Sequence, residues 1–143
     1  MTRYEKLLNS IVCESEIEYV PSDSISKPSL AISMDNQYGI LFNESYFDTT
    51  AERRIALAHE KAHCDTGTLY PVYALKYERE RCEAKAWRRT IHDVIPFDLL
   101  KDRMVDCVYA DGLDTYELAE KLDVPHDFIM KAIEHYCNLG YKW

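Results

Sequence analysis

No stretch of this sequence is apolar for long enough to cross a bilayer, and no charged start followed by an apolar core marks a secretory leader. The expected setting is the reducing cytoplasm, with thiols free. No CxxC pair occurs. The five cysteines, Cys13, Cys64, Cys82, Cys107 and Cys137, are odd in number and scattered, which argues against a disulfide framework and against a cysteine zinc knuckle. Basic charge is short as well: 17 Lys and Arg face 25 Asp and Glu, for a net charge of −8. Such a chain has no general attraction to nucleic-acid phosphates or anionic lipid, so neither DNA nor membrane is an expected partner. Internal repeats and low-complexity segments are missing too. What is present is 143 residues with 47% apolar and 29% charged side chains, enough for one domain with a real core and too apolar for disorder.

Periodicity places the elements. Tyr4, Leu7, Leu8, Ile11 and Val12 follow helical spacing. Residues 17–20 suit a short strand, and the serine-rich run from Pro21 to Pro28 reads as a loop. Two β-like runs, Ser29–Met34 and Tyr38–Asn43, flank the turn formers Asp35-Asn36-Gln37 and predict a hairpin. Thr49 with Glu52 three residues on is a helix-start signal, and that helix should stop near Gly67. A second long helix is expected from about Tyr73 to Ile91, and a third from Pro96. Asp114-x-x-Glu117 opens another, and a last one runs from Pro125 to near Gly140. The expected class is α+β, with helices packed on one side of a small sheet. The expected organisation is one domain over 1–143, with a core over 1–112 and a helical, helix-turn-helix-like tail over 113–143.

One constellation carries chemistry. His59 and His63 stand four apart on the helix that Thr49 opens, so both project from one face, one turn apart. Two imidazole nitrogens so placed can reach one Zn²⁺ at about 2.0–2.1 Å. Glu60, next to the first histidine, can lean over the open side of the metal and serve as a general base. Ile55, Ala58 and Ala62 supply the inward apolar face, and the two alanines leave room beside the ligands. The plain alternative is a pair of surface histidines on an amphipathic helix.

A catalytic zinc needs a third protein ligand and an open position. Asp65, Glu78, Glu80, Glu83, His92 and Asp93 are the downstream candidates. Asp65 lies too close along the same helix to wrap round the metal. Glu78 and Glu80 sit among Lys76, Arg79 and Arg81 and read as a solvated face. Glu83 sits mid-helix and shares a face with Ala86 and Trp87, so an antiparallel second helix would bring it to the histidines.

These residues resemble a known family. Arg53-Arg54-Ile55-Ala56-Leu57-Ala58-His59-Glu60-Lys61-Ala62-His63, followed by Thr66-Gly67-Thr68-Leu69-Tyr70, is similar to the ImmA/IrrE-type metallo-endopeptidases. So is Glu83-Ala84-Lys85-Ala86-Trp87 with Val94-Ile95-Pro96, and Tyr38–Asn43 looks like the family's strand leading to its active helix. The likeness spans roughly residues 30 to 137. It implies a mainly helical zincin-like protease core, a zinc cofactor and Glu83 as third ligand. It also implies the activity of the phage and mobile-element members, anti-repressors that cleave a helix-turn-helix repressor. The radiation-response members carry extra domains that a chain of this length has no room for. Ala62 departs from the glycine that many members have before the second histidine; its methyl should leave metal binding intact and narrow the substrate channel.

Other residues invite sharper and plainer readings. Tyr70, just past the metal helix, is a possible oxyanion stabiliser, or simply one of eleven tyrosines. His92 offers the same role, but sits about two and a half turns beyond Glu83. Cys64 and Cys82 adjoin proposed ligands and should point away from them, as small buried hydrophobes rather than redox switches. In the tail, His126, Asp127, Glu134 and His135 surround a lone Lys131, a poor face for phosphates, so the tail is expected to pack or dock rather than read DNA. The expected function is zinc-dependent, site-specific cleavage of a repressor protein, weak on generic peptides. The alternative is a non-catalytic, zinc-stabilised module that sequesters the repressor by binding alone.

Overall fold

The computed structural model describes residues 1–143, which form six α-helices and two small sheets, an α+β arrangement. Two compact units are present, Met1–Thr90 and Ile91–Trp143. The expected core–tail boundary at 112/113 lies inside the second of them. No helix is long and apolar enough to cross a membrane.

In the first unit, helix α1 (Arg3–Glu14) starts at a complete capping box between Thr2 and Glu5, two residues upstream of where the apolar pattern begins. Strands β1 (Glu18–Pro21), β2 (Ser29–Met34) and β3 (Gln37–Phe42) follow. The hairpin between β2 and β3 is antiparallel, and its two connecting residues, Asp35 and Asn36, both have positive φ (52° and 66°). Such a turn matches the strand twist, and short polar side chains tolerate it. β1 pairs in parallel with β3, giving the order β1-β3-β2 and leaving β2 as an edge. This pairing is not visible in the sequence, because the serine-rich loop crosses over to reach it.

Helix α2 (Thr50–Thr66) begins where Thr49 Oγ1 accepts the Glu52 amide at 3.1 Å. Both α1 and α2 pack against the sheet. The core between them holds Tyr4, Ile11, Ala31, Ile40, Phe42, Leu57 and Cys64. Burying side chains of this size contributes about 1.5–3 kcal/mol each for the larger apolar ones. One face of α2 is thereby fixed, which leaves its histidine face to be met by helix α3 (Lys76–Val94).

The second unit holds α4 (Phe97–Met104), the two-residue strands β4 (Val108–Tyr109) and β5 (Gly112–Leu113), α5 (Thr115–Leu122) and α6 (His126–Asn138). Asp114 caps α5 through the Glu117 amide at 3.0 Å, as its spacing suggests. Asp123, at φ 55°, turns the chain into α6, and Leu118, Ala119, Leu122, Phe128, Ile129, Ala132 and Tyr136 are buried. The tail is thus a packed helical pair.

Candidate metal centre

Helix α2 ends because Gly67 adopts φ +64°, a left-handed conformation that most side chains, short polar ones apart, would strain. The Gly67 amide then reaches the Cys64 carbonyl at 3.4 Å, and the Thr68 amide the His63 carbonyl at 3.1 Å. This Schellman turn folds Thr68 back under His63. The Thr68 carbonyl and Oγ1 lie 3.0 and 3.1 Å from His63 Nδ1.

Proton positions follow from donor counting. Thr66 Oγ1 donates to the Ala62 carbonyl at 2.7 Å, so in its 2.8 Å contact with Thr68 it accepts. The Thr68 hydroxyl therefore donates to Thr66 and accepts from His63. A carbonyl can only accept, so both Thr68 contacts put the proton of His63 on Nδ1. The Nε2 lone pair of a neutral ring is then free, the tautomer a metal requires.

Three such groups converge. Glu83 of α3 places Oε1 3.2 Å from His63 Nε2 and Oε2 2.8 Å from His59 Nε2. The ligand atoms of His59, His63 and Glu83 all lie within 4.8 Å of one another. A bare imidazole nitrogen facing a carboxylate oxygen sets lone pair against lone pair. At His63, whose Nδ1 holds the proton, the contact needs a second proton on the ring or a metal ion; His59, with no partner on Nδ1, also meets Glu83 as a neutral ring with its proton on Nε2. The electrostatics report the same demand. Burial disfavours the charged form of both groups, yet hydrogen bonds from His59, His63 and Tyr70 carry the Glu83 carboxyl far below the ordinary range, and Glu83 in turn raises His63. Two imidazoles and a carboxylate are a donor set that fits Zn²⁺, with a position left open.

The two rings are held differently. His59 stacks on Trp87, with ring centroids 3.9 Å apart and planes at 25°. Its Nδ1 is buried and has no hydrogen-bond partner. Tyr70 Oη donates to Glu83 Oε1 at 2.7 Å, and burial together with that bond pushes its pKa up to about 12, so the phenol stays a donor. Tyr70 is therefore at the site, where it braces the carboxylate of Glu83.

Glu60 is buried at 9% exposure and accepts from Ser29 Oγ of β2 at 3.1 Å. Burial raises its pKa, against the opposing pull of His59, His63 and the Ser29 hydrogen bond. A carboxylate raised toward neutrality is suited to taking up a proton and giving it back. Glu60, His63 and Glu83 open onto a cleft of about 450 Å³, whose walls include Ser29, Leu30 and Ala31 of the β2 edge and Leu69, Tyr70 and Val72 after α2.

The remaining candidates lie elsewhere. Asp65 pairs with Lys61 at 2.5 Å and Arg89 at 3.9 Å, and Glu80 with Lys76 at 3.7 Å. Neither these, nor Glu78, His92 or Asp93, joins the three-ligand group. His92 belongs to the second unit, where its Nε2 is 3.0 Å from His135 Nε2. Cys64 is buried in the core, and burial pushes its thiol up to about 12, which makes it unreactive; Cys82 is partly exposed. Ala62 is fully buried and off the cleft lining, so its methyl does not narrow the cleft as expected. Three contributors escaped the sequence: Ser29, Thr68 and the stacking role of Trp87. Only Thr68 left a local signal, standing one residue beyond the glycine that ends the helix. The chain matches no protein-family model, no curated protein and no solved structure among those compared with it.

Proposed function

We propose that this chain is a zinc-dependent endopeptidase that cuts a regulatory protein, with a helix-turn-helix repressor of a phage or mobile element as the substrate and the cytoplasm as the place of action. The observation that carries the reading is the meeting of His59, His63 and Glu83 from two helices beside a buried Glu60 on one cleft. A structural zinc site uses four protein ligands; here three converge, and Glu60 lines the same cleft without joining them. That favours catalysis over a zinc-stabilised binding module.

Zinc held by His59, His63 and Glu83 would supply Lewis acidity, both for a scissile carbonyl and for a water whose proton would then be available near neutral pH. The chain's own groups do the rest. Glu60 accepts that proton on its carboxylate and returns it to the departing amine, while Ser29 fixes the carboxylate's orientation. Thr68 holds His63 in the tautomer with Nε2 free, and Trp87 holds the plane of His59. Tyr70 keeps Glu83 in place by donating its one hydroxyl proton to it, and would have to release Glu83 to donate to a developing oxyanion. The unpaired edge of β2 beside the cleft gives an extended peptide backbone a strand to align with.

Glu60→Gln tests this directly, since it keeps the shape and the three ligands and removes the base. Repressor cleavage should fall by about 10²–10⁴-fold, with zinc content unchanged. Destruction of the repressor at the wild-type rate by this variant would rule out proteolysis of this kind.

A further inference from the structure

The cleft runs against the charge of its own chain. The protein carries a net charge of −8, yet the charged side chains at the cleft rim are Lys27 on one side and Arg79 on the other. The only carboxylates lining it, Glu60 and Glu83, are already engaged, Glu60 by Ser29 and Glu83 by His59, His63 and Tyr70. Three lysines elsewhere have acidic partners: Lys61 has Asp65, Lys76 has Glu80, and Lys121 has Glu117. Lys27 and Arg79 are both exposed. With a divalent ion on its three ligands, the lining becomes net positive inside an acidic molecule, which focuses the field on an anionic guest.

The apolar part of the cleft is as specific as the charged part. Leu30, Leu69 and Val72 line it, and Val72 is 99% exposed. Tyr73, Leu75 and Tyr77, which follow Val72 along the chain, are 88%, 70% and 67% exposed. A run of large apolar side chains left in water beside a cleft marks a surface that is covered in use.

We infer that the cleft takes an extended peptide bearing a carboxylate, which Lys27 and Arg79 hold, next to an apolar side chain that packs on Leu69 and Val72. The inference rests on the reading of this cleft as the peptide-binding site. A carboxylate can come from an Asp or Glu side chain or from a peptide C-terminus, and the two are separable. Glu60→Gln protein loaded with zinc would be titrated, with NMR chemical shifts as the readout, against leucine-containing decapeptides. In one set a single Glu is walked along an amidated chain. The second set is identical with Gln, and the third is the Gln set with a free C-terminus. The best Glu peptide should bind about tenfold more tightly than its Gln twin at low salt, and the gap should shrink to about twofold in 0.5 M NaCl as the charges are screened. Tighter binding of the free-acid set alone assigns the site to a chain end. In either case Lys27→Gln/Arg79→Gln should erase the preference and leave zinc content unchanged. Equal affinities across the three sets, no binding by any of them, or a preference that survives the double substitution would overturn the inference. A preference without cleavage of peptide or repressor by the wild-type zinc protein would instead retire the protease reading and leave the cleft's taste for carboxylates standing.

Discussion

The two histidines of the metal centre sit one turn apart on α2 and are supported by opposite kinds of force. His63 is tied by polar bonds: Thr68 meets Nδ1 twice, and Thr66 fixes the direction of the Thr68 hydroxyl. His59 has no such bond on Nδ1 and relies on the face of Trp87. Polar support sets a ring's tautomer and direction together. Stacking sets only its plane, with an energy of about 0.5–1.5 kcal/mol beyond the buried area. The difference implies that His63 is preorganised for an ion, whereas His59 takes its final position from the ion and from Glu83.

Removing what the two sides share should have the largest effect. Glu83→Ala leaves both Nε2 atoms without their common partner, and zinc affinity measured by competition with a chromophoric chelator should fall by more than about 100-fold. Acidification comes next. The proton that Glu83 stabilises on His63 competes with the metal, so the ring is charged below its raised pKa and neutral above it. Zinc affinity should therefore drop as pH falls through that value, by up to about tenfold per pH unit for each proton displaced, with proton release visible by calorimetry in two buffers. Trp87→Ala takes away the stacking partner of His59 and should weaken zinc about 10–100-fold. Thr68→Val removes one of two acceptors but keeps the carbonyl, so a loss below about tenfold is expected. Equal losses from these two substitutions would abolish the contrast between the rings. Smallest is Gly67→Ala, which forces a side chain into the left-handed region at a cost of about 1–2 kcal/mol, read from urea unfolding of the zinc-free protein.

Legibility in the sequence followed distance along the chain. His59, Glu60 and His63 are visible because helical spacing alone puts them together. The caps at Thr49 and Asp114 and the stop at Gly67 are visible for the same local reason. Glu83 needed one further step, the meeting of two helix faces. Ser29 reaches Glu60 from β2, 31 residues away, through a packing of α2 on the sheet that no periodicity encodes. The parallel pairing of β1 with β3 is hidden for the same reason. Thr68 follows a helix stop and so reads as loop, although the backbone turn that stops the helix is what returns it to His63.

That turn makes the end of α2 a reporter of what the centre holds. The Gly67 and Thr68 amides are bound to the last carbonyls of the helix, one of them that of His63 itself. An ion on His63 Nε2 would steady the ring, whose Nδ1 meets Thr68, the residue whose amide closes the helix terminus. Ligand binding and local unfolding are thereby linked by mass action, with about 2.7 kcal/mol gained at a free ion concentration one hundred times the dissociation constant. Amide hydrogens at this terminus should exchange slowly in the loaded protein and quickly after chelation. The last turn of α2 would then act as a clip whose closing is read by deuterium uptake.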